Sequence, residues 1–143
     1  MKKIWIALVI IVMSLMVACT SQKNAENTQN NESEAPQGEV IAMTGDELVT
    51  LLADESQAGE ILLVDVRQPE EFASGHIDSA INIPLGEVES QLETFEAFKD
   101  KKIILYCNTG NRSGQAAQLL VNNGFEKIYN ADGVKQFEYE LIK

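Results

Sequence analysis

The sequence predicts one α/β domain built on a mainly parallel sheet of five strands, and three observations carry that reading. From Val40 onward, short apolar runs alternate with helical patterns, as in chains that wind strand, helix, strand around one sheet. Two of the runs, Ile61-Leu62-Leu63-Val64 and Ile103-Ile104-Leu105-Tyr106, are apolar throughout, which marks strands buried on both faces. About 100 residues lie beyond position 39, enough for a single core.

The elements follow in order. Val40-Ile41 is a weak first strand, and Thr44-Gly45-Asp46-Glu47 has the threonine-to-glutamate spacing of a capping box before a helix through Leu48, Leu51 and Leu52. The strand Ile61–Val64 ends at Asp65, and Pro69 suits the first turn of a short helix carrying Phe72. Ala80–Ile83 forms another short strand. Val88, Leu92, Phe95 and Phe98 fall close to helical spacing with acids between them, predicting a helix before the strand 103–106. Ala116, Ala117, Leu119 and Leu120 mark a further helix that ends near Gly124. Lys127–Tyr129 brings the strand count to five, and a final helix is expected through Phe137, Leu141 and Ile142.

The first 39 residues have a different character. Met1-Lys2-Lys3 is a short basic start, and the 15 residues Ile4–Ala18 are apolar except for Ser14, too few for a comfortable bilayer span. The run ends in Leu15-Met16-Val17-Ala18-Cys19 and resembles a bacterial lipoprotein signal, cleaved after the small Ala18 so that Cys19 receives lipid. Residues 1–18 are thus expected to be the signal. Residues 19–39 would be the lipidated Cys19 and a disordered polar tether rich in Asn, Gln, Ser and Glu, and the domain proper spans 40–143. That organisation places the protein outside the cytoplasm, held to the bacterial cell membrane by its lipid.

Twenty-two acidic and eleven basic residues give a formal charge of −11, and loss of Lys2 and Lys3 with the signal leaves −13. Such acidity disfavours nucleic acid as a partner and the domain lying on an anionic membrane, so no nucleic-acid partner is expected and lipid would be the attachment. Two cysteines allow one disulfide in an oxidising compartment, but a lipidated Cys19 leaves Cys107 a single thiol. With two cysteines and one histidine, the sequence offers no metal site and implies no cofactor.

Cys107 is the centre of the functional reading. It follows a buried strand, and Asn108-Thr109-Gly110-Asn111-Arg112-Ser113 opens from it into a helix, with Ser113 the expected cap. Ligands of open parallel sheets sit beyond the carboxyl ends of strands, where this cysteine lies. A helix N-terminus aims unpaired N–H groups and positive dipole at the loop, which favours Cys107 as a thiolate. Arg112 either adds positive charge beside a bound anion or ties the loop to a carboxylate or carbonyl. For Asp65 and Arg67 a supporting role is favoured, the carboxylate bonding nearby backbone N–H groups and the arginine pairing with acids such as Glu70 or Glu71. His76, after a glycine in a turn, reads as a hydrogen-bonded structural residue.

Taken in order, Val64-Asp65-Val66-Arg67, Pro69-Glu70-Glu71-Phe72, Gly75-His76-Ile77, Ala80-Ile81-Asn82-Ile83-Pro84 and Cys107-Asn108-Thr109-Gly110-Asn111-Arg112-Ser113 resemble the single-domain rhodanese (sulfurtransferase) family over nearly all of residues 40–143. The resemblance implies a five-stranded sheet flanked by helices on both faces, and a loop cysteine that accepts a sulfane sulfur from a donor such as thiosulfate and passes it to a thiol or cyanide-like acceptor, with Cys107 in that position. Residues 108–113 would hold the donor, and a monomer is expected. Asn108 and Asn111 stand where the family often has basic residues, which points toward a persulfide donor. Asp132-Gly133 and Phe137 replace the usual paired glycines and tryptophan. The rival readings are a cysteine-dependent phosphatase or arsenate reductase, whose loops have five rather than four residues between cysteine and arginine, and a non-catalytic partner-binding domain.

Overall fold

The computed structural model describes residues 38–143, so the expected signal, Cys19 and nearly all of the tether lie outside the described residues. In chain order the elements are β1 (Val40–Met43), α1 (Gly45–Leu52), β2 (Ile61–Asp65), α2 (Pro69–Ser74), β3 (His76–Ile77), β4 (Ile81–Asn82), α3 (Leu92–Glu96), β5 (Lys102–Tyr106), α4 (Asn111–Asn122), β6 (Ile128–Ala131) and β7 (Leu141–Ile142). No helix among the described residues is long and apolar enough to cross a membrane.

Five strands form one parallel sheet in the order β1-β6-β5-β2-β4. The two all-apolar runs are its centre: Leu62 pairs with Ile103 and Val64 with Leu105. Successive side chains on a strand point to opposite faces, so these two strands feed two cores at once. Leu62, Val64, Ile103 and Leu105 pack with Ala116, Ala117, Leu120 and Val121 of α4 and with Phe95 of α3. Leu63, Ile104 and Tyr106 pack on the other face with Leu48 of α1. Each fully buried Leu, Ile or Phe contributes roughly 1.5–3 kcal/mol relative to exposure, which is what holds helices against both faces.

Local signals place the helices. Thr44 and Glu47 form the expected capping box, with Thr44 Oγ1 accepting from the Glu47 N–H and the Thr44 N–H donating to the Glu47 carboxylate at 2.7 Å. Pro69 stands at the first turn of α2, which needs no N–H from it. Three expectations are corrected. The segment around Val88 is not one helix: two 3₁₀ turns, Leu85–Glu87 and Glu89–Gln91, precede the short α3. Leu85 and Val88 are three apart, the period of a 3₁₀ turn, so both reach the core, and Gln91 at φ −111°, ψ 22° interrupts the ladder before Phe95. Ser113 does not cap α4. Gly110, left-handed at φ 76°, takes that position, and the helix has begun two residues before Ser113.

The third correction is at the C-terminus, where no helix forms. Phe137 settles over Gly45, whose missing side chain leaves room for the ring, and Tyr139 donates its hydroxyl to Asp132 O at 2.8 Å. Leu141 and Ile142 then pair antiparallel with Ile77 and His76, a two-stranded sheet absent from the expected five. Three apolar residues at 137, 141 and 142 carry too little helical signal to outweigh backbone partners already in place on β3.

Candidate functional site

Strand geometry decides where Cys107 points. Tyr106 turns to the α1 face, its oxygen accepting from the Ile77 N–H at 3.1 Å, so the next side chain, Cys107, falls on the α4 face. Burial and the Asp65 charge push the Tyr106 phenol well above its ordinary range, so it stays neutral. The backbone that follows is held from outside the loop, because Val134 N–H donates to Cys107 O and Lys135 N–H to Asn108 O, both at 2.9 Å. Gly133 makes this possible: a Cβ there would run into the Asn108 carbonyl and the Thr109 nitrogen. Gly110 then turns the chain into α4.

The sulfur sits at the centre of that turn, 1 % exposed. Burial pushes the thiol up, but the Ser113 hydroxyl and the N–H groups of Ser113, Thr109 and Arg112 outweigh it and bring Cys107 below its ordinary value. The Ser113 Oγ is 3.4 Å from Sγ. Of residues 108–113, then, Thr109, Arg112 and Ser113 face the sulfur with their backbone, while Asn108 and Asn111 do not aim their side chains at it. Asn111 accepts from Gln115 Nε2 on the exposed face of α4 at 2.8 Å.

Arg112 takes the second of its two expected roles. Its guanidinium donates to Glu71 Oε2 at 2.7 Å and Oε1 at 3.0 Å, tying the loop to α2. Asn108 Nδ2 donates to Glu71 Oε1 at 2.6 Å, and the Gln68 N–H to Oε2 at 3.0 Å. One carboxylate therefore gathers both ends of the loop and the start of a helix. Chiefly through the Arg112 hydrogen bonds, against the cost of burial and helped by the Gln68 N–H and Asn108, the Glu71 carboxyl is brought down to about 2.

Asp65 and Arg67 form a second anchor at the end of β2. Arg67 Nη2 donates to Asp65 Oδ2 at 2.6 Å and to Gly75 O at 2.7 Å, and its backbone N–H reaches Asp65 Oδ1 at 2.9 Å. Asp65 thus accepts from a nearby backbone N–H as expected, while Arg67 pairs with Asp65 rather than with Glu70 or Glu71. His76 stacks on Phe72 with ring centroids 3.7 Å apart and its Nδ1 lies 3.1 Å from Phe72 O, a structural contact as expected. Beside the loop, at the ends of β1 and β6, a cleft of about 500 Å³ is lined by Thr44, Thr109, Gly110, Asn111, Asp132 and Gln136, among others.

Two participants were not assigned to the cysteine loop by the sequence. Glu71 is one; it stands three residues after Gln68, and its capping position was the available signal. Asn130 is the other, a polar residue inside β6 whose amide bonds both Ser113 Oγ at 2.6 Å and Gly110 O at 3.1 Å. Among the described residues, no group of three or more His, Cys, Asp or Glu side chains converges to hold a metal ion.

Comparison with known proteins agrees with this architecture. The family model of the rhodanese-like domain matches residues 46–136, which take in the Asp65 and Arg67 anchor, the cysteine loop and the segment that braces it. The chain belongs to the rhodanese family. This rhodanese domain is 39 % identical over 80 residues to the thiosulfate sulfurtransferase PspE of Escherichia coli, covering 56 % of this chain and 77 % of that protein. A solved rhodanese with anions from E. coli superposes with TM-score 0.54 at 37 % identity, over 58 % of this chain and 98 % of the other. A rhodanese-like domain protein from Staphylococcus aureus gives TM-score 0.63 at 28 % identity, over 72 % of this chain and 97 % of its own. The expected family and fold are both borne out.

Proposed function

We propose that this rhodanese domain is a sulfurtransferase that carries a sulfane sulfur on Cys107. The observation that supports it most directly is a sulfur ringed by the N–H groups of Thr109, Arg112 and Ser113, with its acidity raised despite burial. Cys107 thiolate attacks the outer sulfur of the donor, forming an S–S bond and breaking the donor's own. With thiosulfate, sulfite leaves with the bonding pair and an anionic persulfide remains. A thiol or cyanide then attacks the terminal sulfur and regenerates the thiolate. Charge stays on sulfur throughout, so fixed N–H dipoles suffice and no proton-transferring side chain is required.

Arg112 separates this reading from the phosphatase and arsenate reductase alternatives. Those reactions call for a guanidinium facing a tetrahedral oxyanion, and here the guanidinium is committed to Glu71 outside the loop. With its one arginine so paired and Asn108 and Asn111 neutral, the loop offers little attraction to a divalent anion, which favours a persulfide over thiosulfate as donor.

Intact mass spectrometry of the full chain carrying Cys19→Ser, after a small-molecule persulfide or thiosulfate and then cyanide, tests the proposal. A gain of one sulfur that cyanide removes as thiocyanate is expected, and Cys107→Ser should abolish it. Absence of any gain with either donor would overturn the reading.

The basic start, apolar core and Ala18-Cys19 junction further support a lipid anchor on Cys19 and a place outside the cytoplasm. Expressed in bacteria, the chain should label with a fatty-acid tracer and Cys19→Ser should not. Equal labelling of both would rule that assignment out.

A further inference from the structure

Asn130 stands on β6, outside the cysteine loop, and its amide can be oriented in only one way. Gly110 O can only accept, so the end of the Asn130 amide 3.1 Å from it must be Nδ2, leaving Oδ1 toward Ser113 Oγ at 2.6 Å. An amide oxygen also only accepts, and Ser113 must therefore give it the hydroxyl proton. The same hydroxyl lies 3.4 Å from Cys107 Sγ, and it has one proton for two acceptors. Ser113 is completely buried.

We propose that Asn130 is a positioning residue that competes with the Cys107 sulfur for the Ser113 hydroxyl proton. While Cys107 is a thiol, its S–H donates to Ser113 Oγ and Ser113 donates to Asn130 Oδ1. Once the thiol has lost its proton to solvent, the hydroxyl turns about its Cβ–Oγ bond toward the anionic sulfur and gives up Asn130. When the sulfur forms its new S–S bond and loses charge, the hydroxyl returns. No covalent bond to Ser113 forms or breaks.

The consequence is catalytic. A hydroxyl bound only to the thiolate would stabilise the ground state and lose that contact during attack, raising the barrier. Asn130 supplies the alternative partner that offsets the loss. The charged groups around the loop are Arg112 with Glu71 from α2, Asp65 with Arg67 from β2, and Asp132 and Lys135 after β6; substitution at position 130 alters none of their charges.

The inference rests on Cys107 being the nucleophile, but its test needs no sulfur donor, so the two readings fail separately. The pH dependence of Cys107 alkylation by iodoacetamide is measured in the full chain carrying Cys19→Ser, with Asn130→Leu, Ser113→Ala and both. With Ser113 present, Asn130→Leu should lower the titration midpoint by roughly half to one pH unit, the scale of one hydrogen bond. In the Ser113→Ala background the same change should move it by no more than about 0.2 of a unit. Equal shifts in both backgrounds would mean that Asn130 acts only by holding Gly110, and no shift or an upward one with Ser113 present would also overturn the proposal. Should Asn130→Leu fail to fold, Asn130→Ala is read in the same cycle with the same expectations.

Discussion

Glu71 and Arg112, 41 positions apart, form a two-pronged ion pair with distances of 2.7 and 3.0 Å that fastens the cysteine loop to the first turn of α2. The same carboxylate holds Asn108, so the loop is gripped at both ends from one point. Arg112 is thereby a structural tie, and the groups that face the Cys107 sulfur are the backbone N–H groups of Thr109, Arg112 and Ser113.

Replacing Glu71 with Gln should loosen that grip in a pH-dependent way. The Glu71 carboxyl titrates near 2 when folded and near 4.5 when free, so the pair stabilises fully above pH 4.5 and its contribution is lost as pH falls toward 2. Both partners are about one-third exposed, and solvent screening limits the effect to about 1 kcal/mol. Glu71→Gln should melt about 4 °C lower at pH 7 by calorimetry, and the gap should close on acidification. A gap independent of pH would assign the loss to something other than the charge.

Gly133→Ala tests the brace behind the loop. A methyl group there collides with the backbone of Asn108 and Thr109, which cannot rotate away as a side chain would. Stability should fall by about 1–3 kcal/mol, as for an overpacked core, and the Cys107 alkylation midpoint should rise as the N–H donors shift. A variant with unchanged melting and unchanged alkylation would mean that the segment yields freely.

Arg67→Met leaves Asp65, 0 % exposed, without its cation. Denaturation by urea should report a loss of about 3–5 kcal/mol, and the double change Asp65→Leu with Arg67→Met should recover part of it, because the uncompensated charge goes as well. A double variant no more stable than the single one would show that the Gly75 O contact, not the charge, dominates.

Much of this architecture was legible in the residues. The unbroken apolar runs 61–64 and 103–106 gave the two central strands, and the Thr44–Glu47 spacing gave the start of α1. Position after a buried strand gave Cys107 its place at a carboxyl end. These are short-range signals: strand alternation and capping act between residues a few positions apart, so sequence order preserves them.

Long-range choices were not legible. Arg112 had two acceptable partners on paper, and only the folding of α2 against the loop set Glu71 within reach. Ser113 read as the helix cap, but Gly110's left-handed turn takes that position and leaves Ser113 within the first turn of α4, where its hydroxyl faces sulfur and Asn130 together. Leu141 and Ile142 carried an apolar pattern compatible with a helix, yet β3 offered unpaired backbone and the segment became a strand. The sequence by itself determined the α/β class, the central strands and the cysteine's position in the loop, because each follows from local periodicity. The tertiary structure alone decided which polar groups meet across 17 to 41 positions, because hydrogen-bond partners are chosen by distance after packing, and packing is not written in neighbouring residues.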